Sequence, residues 1–325
     1  MGTADNSTSP AWSYTRDRML RSCPRRYYYH YHLAAAGARP GAPPRARGAY
    51  VLKHLTTLDL VLGLAIHAVA RALAAAVRAG RPLPPNDALR DAVRRALNSA
   101  YTSSRNAAAF LRSPSRSPML REIYYEGGLA PEAIERIRDK ASLCLDGLRQ
   151  SPLWETLAGL PRHHIRIIDT PVRFRVRDTD VWAAPDLVYQ SSSSGNVVVD
   201  WKSGKANPDA EVRQVGVYGL LLSNECSPPQ RHARAVVIHL GSETVAEYDL
   251  DEDRLAAAEE QVLTGAHQMR EGQAAVDRLG TAAITAFPLT SRRAQCSRCN
   301  FFELCEAELR RTAHAGANSV PACAG

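Results

Sequence analysis

Residues 184–205 read APDLVYQSSSSGNVVVDWKSGK. Two apolar runs on either side of a small polar stretch leave that segment little choice but a β-hairpin. Side chains alternate across a strand, so Asp200 and Lys202 share one face and Trp201 takes the other. A turn centred on Ser193 sets Leu187 opposite Val199 and Val188 opposite Val198, and the same register puts Asp186 directly against Asp200. Like charges so placed are destabilising unless something offsets them. A divalent cation is the natural offset, and hard oxygen donors at this density suit magnesium or manganese. Lys202 would stand beside that cation, able to stabilise charge growing on a phosphate or to orient an attacking water. A D-x-K strand also occurs as an ordinary surface pair of acid and lysine, a reading that the matching Pro-Asp on the preceding strand weakens.

Around the hairpin the hydrophobic period changes from 3.6 to 2. The first third predicts helices: two short ones over 15–34 meeting at Pro24, then 55–80, 87–112 and 131–150, the last opened by Pro131. GARPGAPPRARG at 37–48 and SPSRSP at 113–118 read as breaks. Strands are expected at 171–177, 181–189 and 196–202, a helix at 208–224, strands near 234–240 and 243–249, and a helix over 251–272. This order describes an α/β or α+β core with an added helical layer. The expected divisions are a disordered N-terminus (1–12), a helical region (13–160), a core (161–290), a cysteine segment packing on the N-terminal helices (291–311) and a disordered tail (312–325). No G-x-x-x-x-G-K-[ST] loop is present, so a built-in ATPase motor is not expected.

The 325 residues carry a net charge of +8. Residues 1–50 hold eight Arg against two Asp, and residues 71–121 ten Arg against two Asp. Such a concentration suits a polyanionic partner, although a solvated Arg-rich helical surface gives the same text. Neither a signal pattern nor a run long enough to span a bilayer is apparent, which implies a cytoplasmic protein without a membrane partner. Seven cysteines in that setting favour reduced thiols or metal ligation over disulfides.

Two further features complete the pattern. His67 lies in GLAIH (63–67) on an otherwise apolar helix, where a core histidine is the commoner reading. Gln214 and Tyr218 are four apart on the helix after Lys202 and share one face. GLAIH, APDLV, VVVDWK and QVGVY, in this order, resemble the PD-(D/E)XK nuclease superfamily, in particular its RecB-like branch. The resemblance covers about residues 12–306. It implies a restriction-endonuclease-like mixed sheet flanked by helices, with an N-terminal helical region and a cluster-binding C-terminal segment. It further implies His67, Asp186, Asp200 and the backbone carbonyl of Trp201 as metal ligands, Lys202 as the catalytic lysine, and Gln214 and Tyr218 in support of the site or the DNA.

QCSRCNFFELC supplies Cys296, Cys299 and Cys305, and Cys23 in RSCPRRYYY is the best fourth ligand. Cys144 and Cys226 read as structural. The one-plus-three arrangement resembles the iron–sulphur nucleases of the AddB type and the CRISPR adaptation nuclease family, and implies a 4Fe–4S cluster. Zinc on the same four thiolates and a redox C-x-x-C are the alternatives. Next to Cys23, Arg25, Arg26 and Tyr27 begin a run of cations and aromatic rings that suits single-stranded nucleic acid, or else packs the cluster region. The expected activity is a metal-dependent deoxyribonuclease acting on free or single-stranded DNA ends in repair, recombination, CRISPR adaptation or phage defence. Any helicase or defence subunit would be a separate partner. The competing readings are a non-catalytic DNA-binding scaffold and an RNA-directed nuclease.

Overall fold

The computed structural model describes residues 10–191, 195–225 and 233–317. The chain starts with β1 (Trp12–Ser13) and α1 (Tyr14–Ser22), whose cap Ser13 accepts the Arg16 N–H. Trp12 is fully buried and pairs with Val181, so ordered structure begins inside the stretch expected to be disordered. Cys23 caps α2 (Pro24–Tyr27), the chain widens into a π-helical turn over Tyr28–Leu33, and α3 (Ala34–Gly37) follows. The loop expected over 37–48 is shorter than its Pro and Gly content suggested. Pro44 occupies the first position of α4 (Pro44–Lys53), where a missing N–H costs nothing.

The helical layer continues with β2 (Leu55–Thr56), α5 (Leu58–Arg78), α6 (Asn86–Ser104), α7 (Ala107–Arg112) and β3 (Met119–Leu120), then α8 (Arg121–Glu126), α9 (Pro131–Gln150) and α10 (Leu153–Ala158). The single helix expected over 87–112 divides because Asn106 turns its side chain back to cap α7. By length and composition α5 is apolar enough to cross a membrane, contrary to expectation. Packing accounts for its text: Leu62, Ile66, Val69 and Leu73 are buried in the core between the sheet and the other helices of this layer.

The sheets follow as β4 (Ile165–Ile168), β5 (Val172–Val176), β6 (Thr179–Ala183), β7 (Leu187–Ser191) and β8 (Gly195–Lys202), then α11 (Pro208–Glu225), β9 (Ala233–His239), β10 (Thr244–Asp249), α12 (Glu252–Leu279) and α13 (Phe302–Ala317). Helix α13 runs past residue 311, into the tail expected to be disordered, because its Ala-rich text sustains a helix. Cys226, the turn centre Ser193 and residues 318–325 lie outside the described residues.

The main sheet has the order β10-β9-β8-β7-β4. Strand β8 runs antiparallel to β7 and parallel to β9, and the parallel pair is joined by α11, as such a crossover requires. A smaller sheet has the order β1-β6-β5. The single strand expected over 181–189 is therefore two strands in two different sheets. Pro185, without an N–H to give to a ladder, lies in the connection between them. Strand β8 is buried on both faces, which explains its nearly unbroken apolar run. Val197, Val199 and Trp201 face α5, α9 and α10, where the Trp201 ring stacks on Trp154 at 5.9 Å. Val198 faces α11 and α12.

Helix α9 lies so close to the sheet that a Cβ at Gly147 would stand 2.5 Å from the Leu240 carbonyl oxygen. Alanine favours an exposed helix interior by about 1 kcal/mol over glycine, but here it must push α9 off the sheet. Gly147→Ala is expected to lower unfolding free energy by about 1–3 kcal/mol, measurable by urea denaturation.

Candidate active site

Four elements meet at the C-terminal end of β8. The β7–β8 register has Leu187 against Val199 and Val188 against Val198, as the sequence predicted. Asp186 sits one residue before β7, and its Oδ2 accepts the Trp201 N–H at 2.8 Å. Asp186 and Asp200 are only 6% and 4% exposed, so both carboxylates are withdrawn from water. Burial, opposed by Lys202 but reinforced by Asp186, raises the Asp200 pKa above the usual carboxylate range.

Helix α5 brings His67 to the acids, with Nδ1 2.8 Å from Asp186 Oδ1. Burial works against the imidazolium, yet the hydrogen bond and charge of Asp186, with help from Asp200, raise the His67 pKa overall. This histidine is therefore not the apolar-core residue its surroundings in sequence suggested. Arg71, one turn further along α5, pairs with Asp169 at 3.1 Å.

Helix α11 supplies the other half. Lys202 Nζ lies 2.6 Å from Asp200 Oδ2 and donates to Gln214 Oε1 at 2.8 Å. Gln214 Nε2 reaches Asp200 Oδ1 at 3.0 Å and the Tyr218 hydroxyl at 2.7 Å. Tyr218 OH also lies 3.2 Å from Asp200 Oδ1. Asp200 Oδ1 thus has two donors, whereas Oδ2, although close to the ammonium, lacks an aligned hydrogen-bond donor. The two carboxylates are met here by the Lys202 ammonium and by the His67 ring. Two buried carboxylates, one of them beside an ammonium, are the hard oxygen donors that fit a divalent cation. The side chains are nonetheless closed on one another: among the described residues no group of three His, Cys, Asp or Glu side chains is disposed to hold a metal.

A buried pair beside Lys202 escaped the sequence reading. His239 is the β9 neighbour of Lys202, and its Nε2 lies 3.5 Å from Glu211 Oε2 in the first turn of α11. Burial works to raise the Glu211 pKa, but hydrogen bonds from the Asn207 N–H and the Tyr248 hydroxyl, with His239, bring it below the usual range. Glu211 thereby ties the start of α11 to β9 and β10, and so fixes the turn from which Gln214 projects. Its place three residues before Gln214 was the available signal.

The four cysteines Cys23, Cys296, Cys299 and Cys305 line one cavity of about 180 Å³, all as free thiols. Burial pushes the Cys305 thiol up to about 11 and raises Cys299 and Cys296. Around them the two chain regions interlock. Ser22 and Gln295 exchange hydrogen bonds at 3.2 and 3.1 Å, and Asn300 Nδ2 donates to Leu55 O at 2.8 Å. Arg25 grips Glu308 through both terminal nitrogens and donates Nε to Phe287 O at 2.7 Å.

That grip corrects the expectation that Arg25 contacts nucleic acid: its donors are spent inside the protein and it is buried. Tyr27 is corrected likewise, being fully buried against Tyr31 and Phe287. Arg26 stays half-buried at the edge of the cysteine cavity.

A search of curated proteins gives no match to the chain. The sequence profile of one protein family matches residues 11–306, a span that holds His67, the β7–β8 hairpin, the Gln214–Tyr218 turn and all four clustered cysteines. With a mixed sheet flanked by helices, Asp200 and Lys202 at the end of its central strand and Asp186 just before the neighbouring one, the chain belongs to the PD-(D/E)XK nuclease superfamily.

Proposed function

We propose that this protein is a metal-dependent deoxyribonuclease that hydrolyses phosphodiester bonds at free or single-stranded DNA ends. The observation that carries this reading is the buried Asp186–Asp200 pair, with Asp200 Oδ2 held only by the Lys202 ammonium at 2.6 Å. Superfamily members are generally nucleases and typically use magnesium or manganese. In this reading Asp186, Asp200, His67 and the Trp201 carbonyl hold the cation. When bound, it lowers the pKa of water and neutralises charge on the scissile phosphate.

The residues of the chain divide the remaining work. Lys202, whose ammonium lies beside Asp200 and Gln214, would offset charge on the phosphate oxygens. Gln214 keeps that ammonium oriented through Oε1 and holds Asp200 through Nε2. Tyr218, whose pKa is raised by burial and by Asp200 and Asp186, stays protonated and serves as a donor to Asp200. The Arg-rich helical layer supplies attraction for the DNA backbone. DNA repair, recombination, CRISPR adaptation or phage defence would use such an activity, with any helicase or defence subunit as a separate partner.

We further assign Cys23, Cys296, Cys299 and Cys305 as the ligands of a 4Fe–4S cluster, with zinc as the alternative occupant. The support is their convergence on one cavity from distant parts of the chain. Cluster binding would require the thiols to deprotonate, against the raised pKa that burial gives three of them. A link between positions 23 and 296 closes a loop of roughly 270 residues, worth on the order of 5 kcal/mol by the cross-link entropy argument.

Three outcomes are expected. With end-labelled single- and double-stranded DNA and either metal, the anaerobically purified protein cuts, and Lys202→Ala cuts about 10²–10³-fold more slowly. DNA binding without cleavage by the unaltered protein would instead favour the scaffold reading. In thermal melts, saturating magnesium or manganese stabilises the protein by about 2–3 kcal/mol at a hundredfold excess over Kd, and Asp200→Asn loses most of that gain. Cys23→Ala loses bound iron, read by metal analysis and visible absorption, and melts earlier; full iron content and an unchanged midpoint would overturn the cluster assignment.

A further inference from the structure

A second concentration of charge lies away from the acid–lysine centre. Arg16 on α1, Arg26 on α2, His30 and Tyr31 in the π-helical turn, and Lys53 and His54 at the end of α4 gather on one side of the N-terminal helices, all half-buried. The Tyr31 ring lies against three of them. The Arg16 guanidinium carbon is 4.3 Å from its centroid, Lys53 Nζ is 5.8 Å away, and the His30 ring lies at 4.6 Å.

These cations lack counter-charge. Among the described residues no carboxylate pairs with Arg16, Arg26 or Lys53. Arg16 donates to Ala11 O at 3.1 Å and to the Tyr27 hydroxyl at 3.3 Å. Its Nε, like Arg26 Nε and His54 Nε2, is buried without a partner. Arg25, the adjacent arginine, has its fork filled by Glu308, so the contrast is local and not a property of the whole surface. Burial, then Lys53, Arg26, His54 and Arg16, hold His30 down to about 4, and burial with Arg16 lowers Lys53. Partly desolvated like charges cost free energy unless an anion offsets them.

We propose that this recess binds a phosphate group of a nucleic-acid strand, through Arg16, Arg26 and Lys53, at a place separate from the Asp186–Asp200–Lys202 centre. Guanidinium forks and an ammonium match phosphate oxygens. The identity of the anion as nucleic acid rests on the nuclease reading. Its source is either an internal phosphodiester or a terminal phosphate.

The test is fluorescence anisotropy of labelled single-stranded oligonucleotides, with and without a 5′ phosphate, in chelator and across a salt series. The proteins are the full chain, Lys53→Gln, Lys53→Arg and Arg16→Gln/Lys53→Gln. Removing one cation from a bound phosphate should reduce the slope of log K against log salt by about 0.7. Lys53→Gln is therefore expected to lower the slope by about 0.7 and the double variant by about 1.4, while Lys53→Arg keeps it. An equal reduction on both oligonucleotides assigns an internal phosphodiester. A reduction confined to the phosphorylated strand assigns the terminal group. An unchanged slope in Lys53→Gln overturns the proposal. This variant decides alone if the Arg16 substitution impairs folding, since the Lys53 ammonium makes no ion pair among the described residues. Cleavage in magnesium or manganese is read in parallel. Cutting with unaltered slopes removes the recess and leaves the nuclease reading; altered slopes without cutting do the reverse.

Discussion

Everything at the site depends on the register between β7 and β8. The Leu187–Val199 and Val188–Val198 pairs bury apolar side chains on opposite faces of the sheet, one set under α5 and one under α11. A slip of one residue would exchange the two faces and bury Lys202 among leucines. The hydrophobic pairs therefore lock the position of the carboxylates, although the carboxylates themselves gain nothing from meeting. Two buried acids persist next to each other because the strands that carry them are held by unrelated contacts, and because Lys202, His67, Gln214 and Tyr218 offset their charge from both sides of the strand pair.

Much of this was legible in the sequence for a definite reason. The hairpin joins period-2 patterning to a small polar turn, and both signals are local. The bounds of α9 and α11 were legible because Pro131 and Pro208 open them and the apolar period sustains them. The apolar period around His67 was silent on its contact with Asp186, because an apolar helix face looks the same whether it covers a core or presents one polar side chain to a carboxylate 119 residues away; only the likeness of GLAIH to the superfamily motif singled it out. The fate of Arg25 was equally hidden: its partners Phe287 and Glu308 lie far along the chain, and nothing next to Arg25 announces them. Strand β1 contributes only two residues, too few for any period, yet it carries the fully buried Trp12 into the smaller sheet. The helix from Pro44 is hidden in the text because a proline that opens a first turn looks the same as one that breaks a helix.

The two candidate centres differ in how they handle charge. At the acid–lysine centre, opposite charges are close and hydrogen-bonded, each carboxylate facing a basic side chain. At the recess around Tyr31 the excess is positive and uncompensated. Arg26 borders the recess and the cysteine cavity alike, so a negatively charged occupant of either would ease the desolvation of the same guanidinium.

The clasp formed by Arg25 with Glu308, Ser22 with Gln295 and Leu55 with Asn300 also bears on how the protein comes to be folded. A ribosome emits α1, α2 and α4 long before it emits the segment beyond residue 287 that fixes them. Contacts of such separation form slowly, and the helices wait with buried-type surfaces uncovered. Helix α5, with the most apolar text in the chain, emerges in that interval. The chain thus secures its N-terminal helices only after the α13 segment has been made.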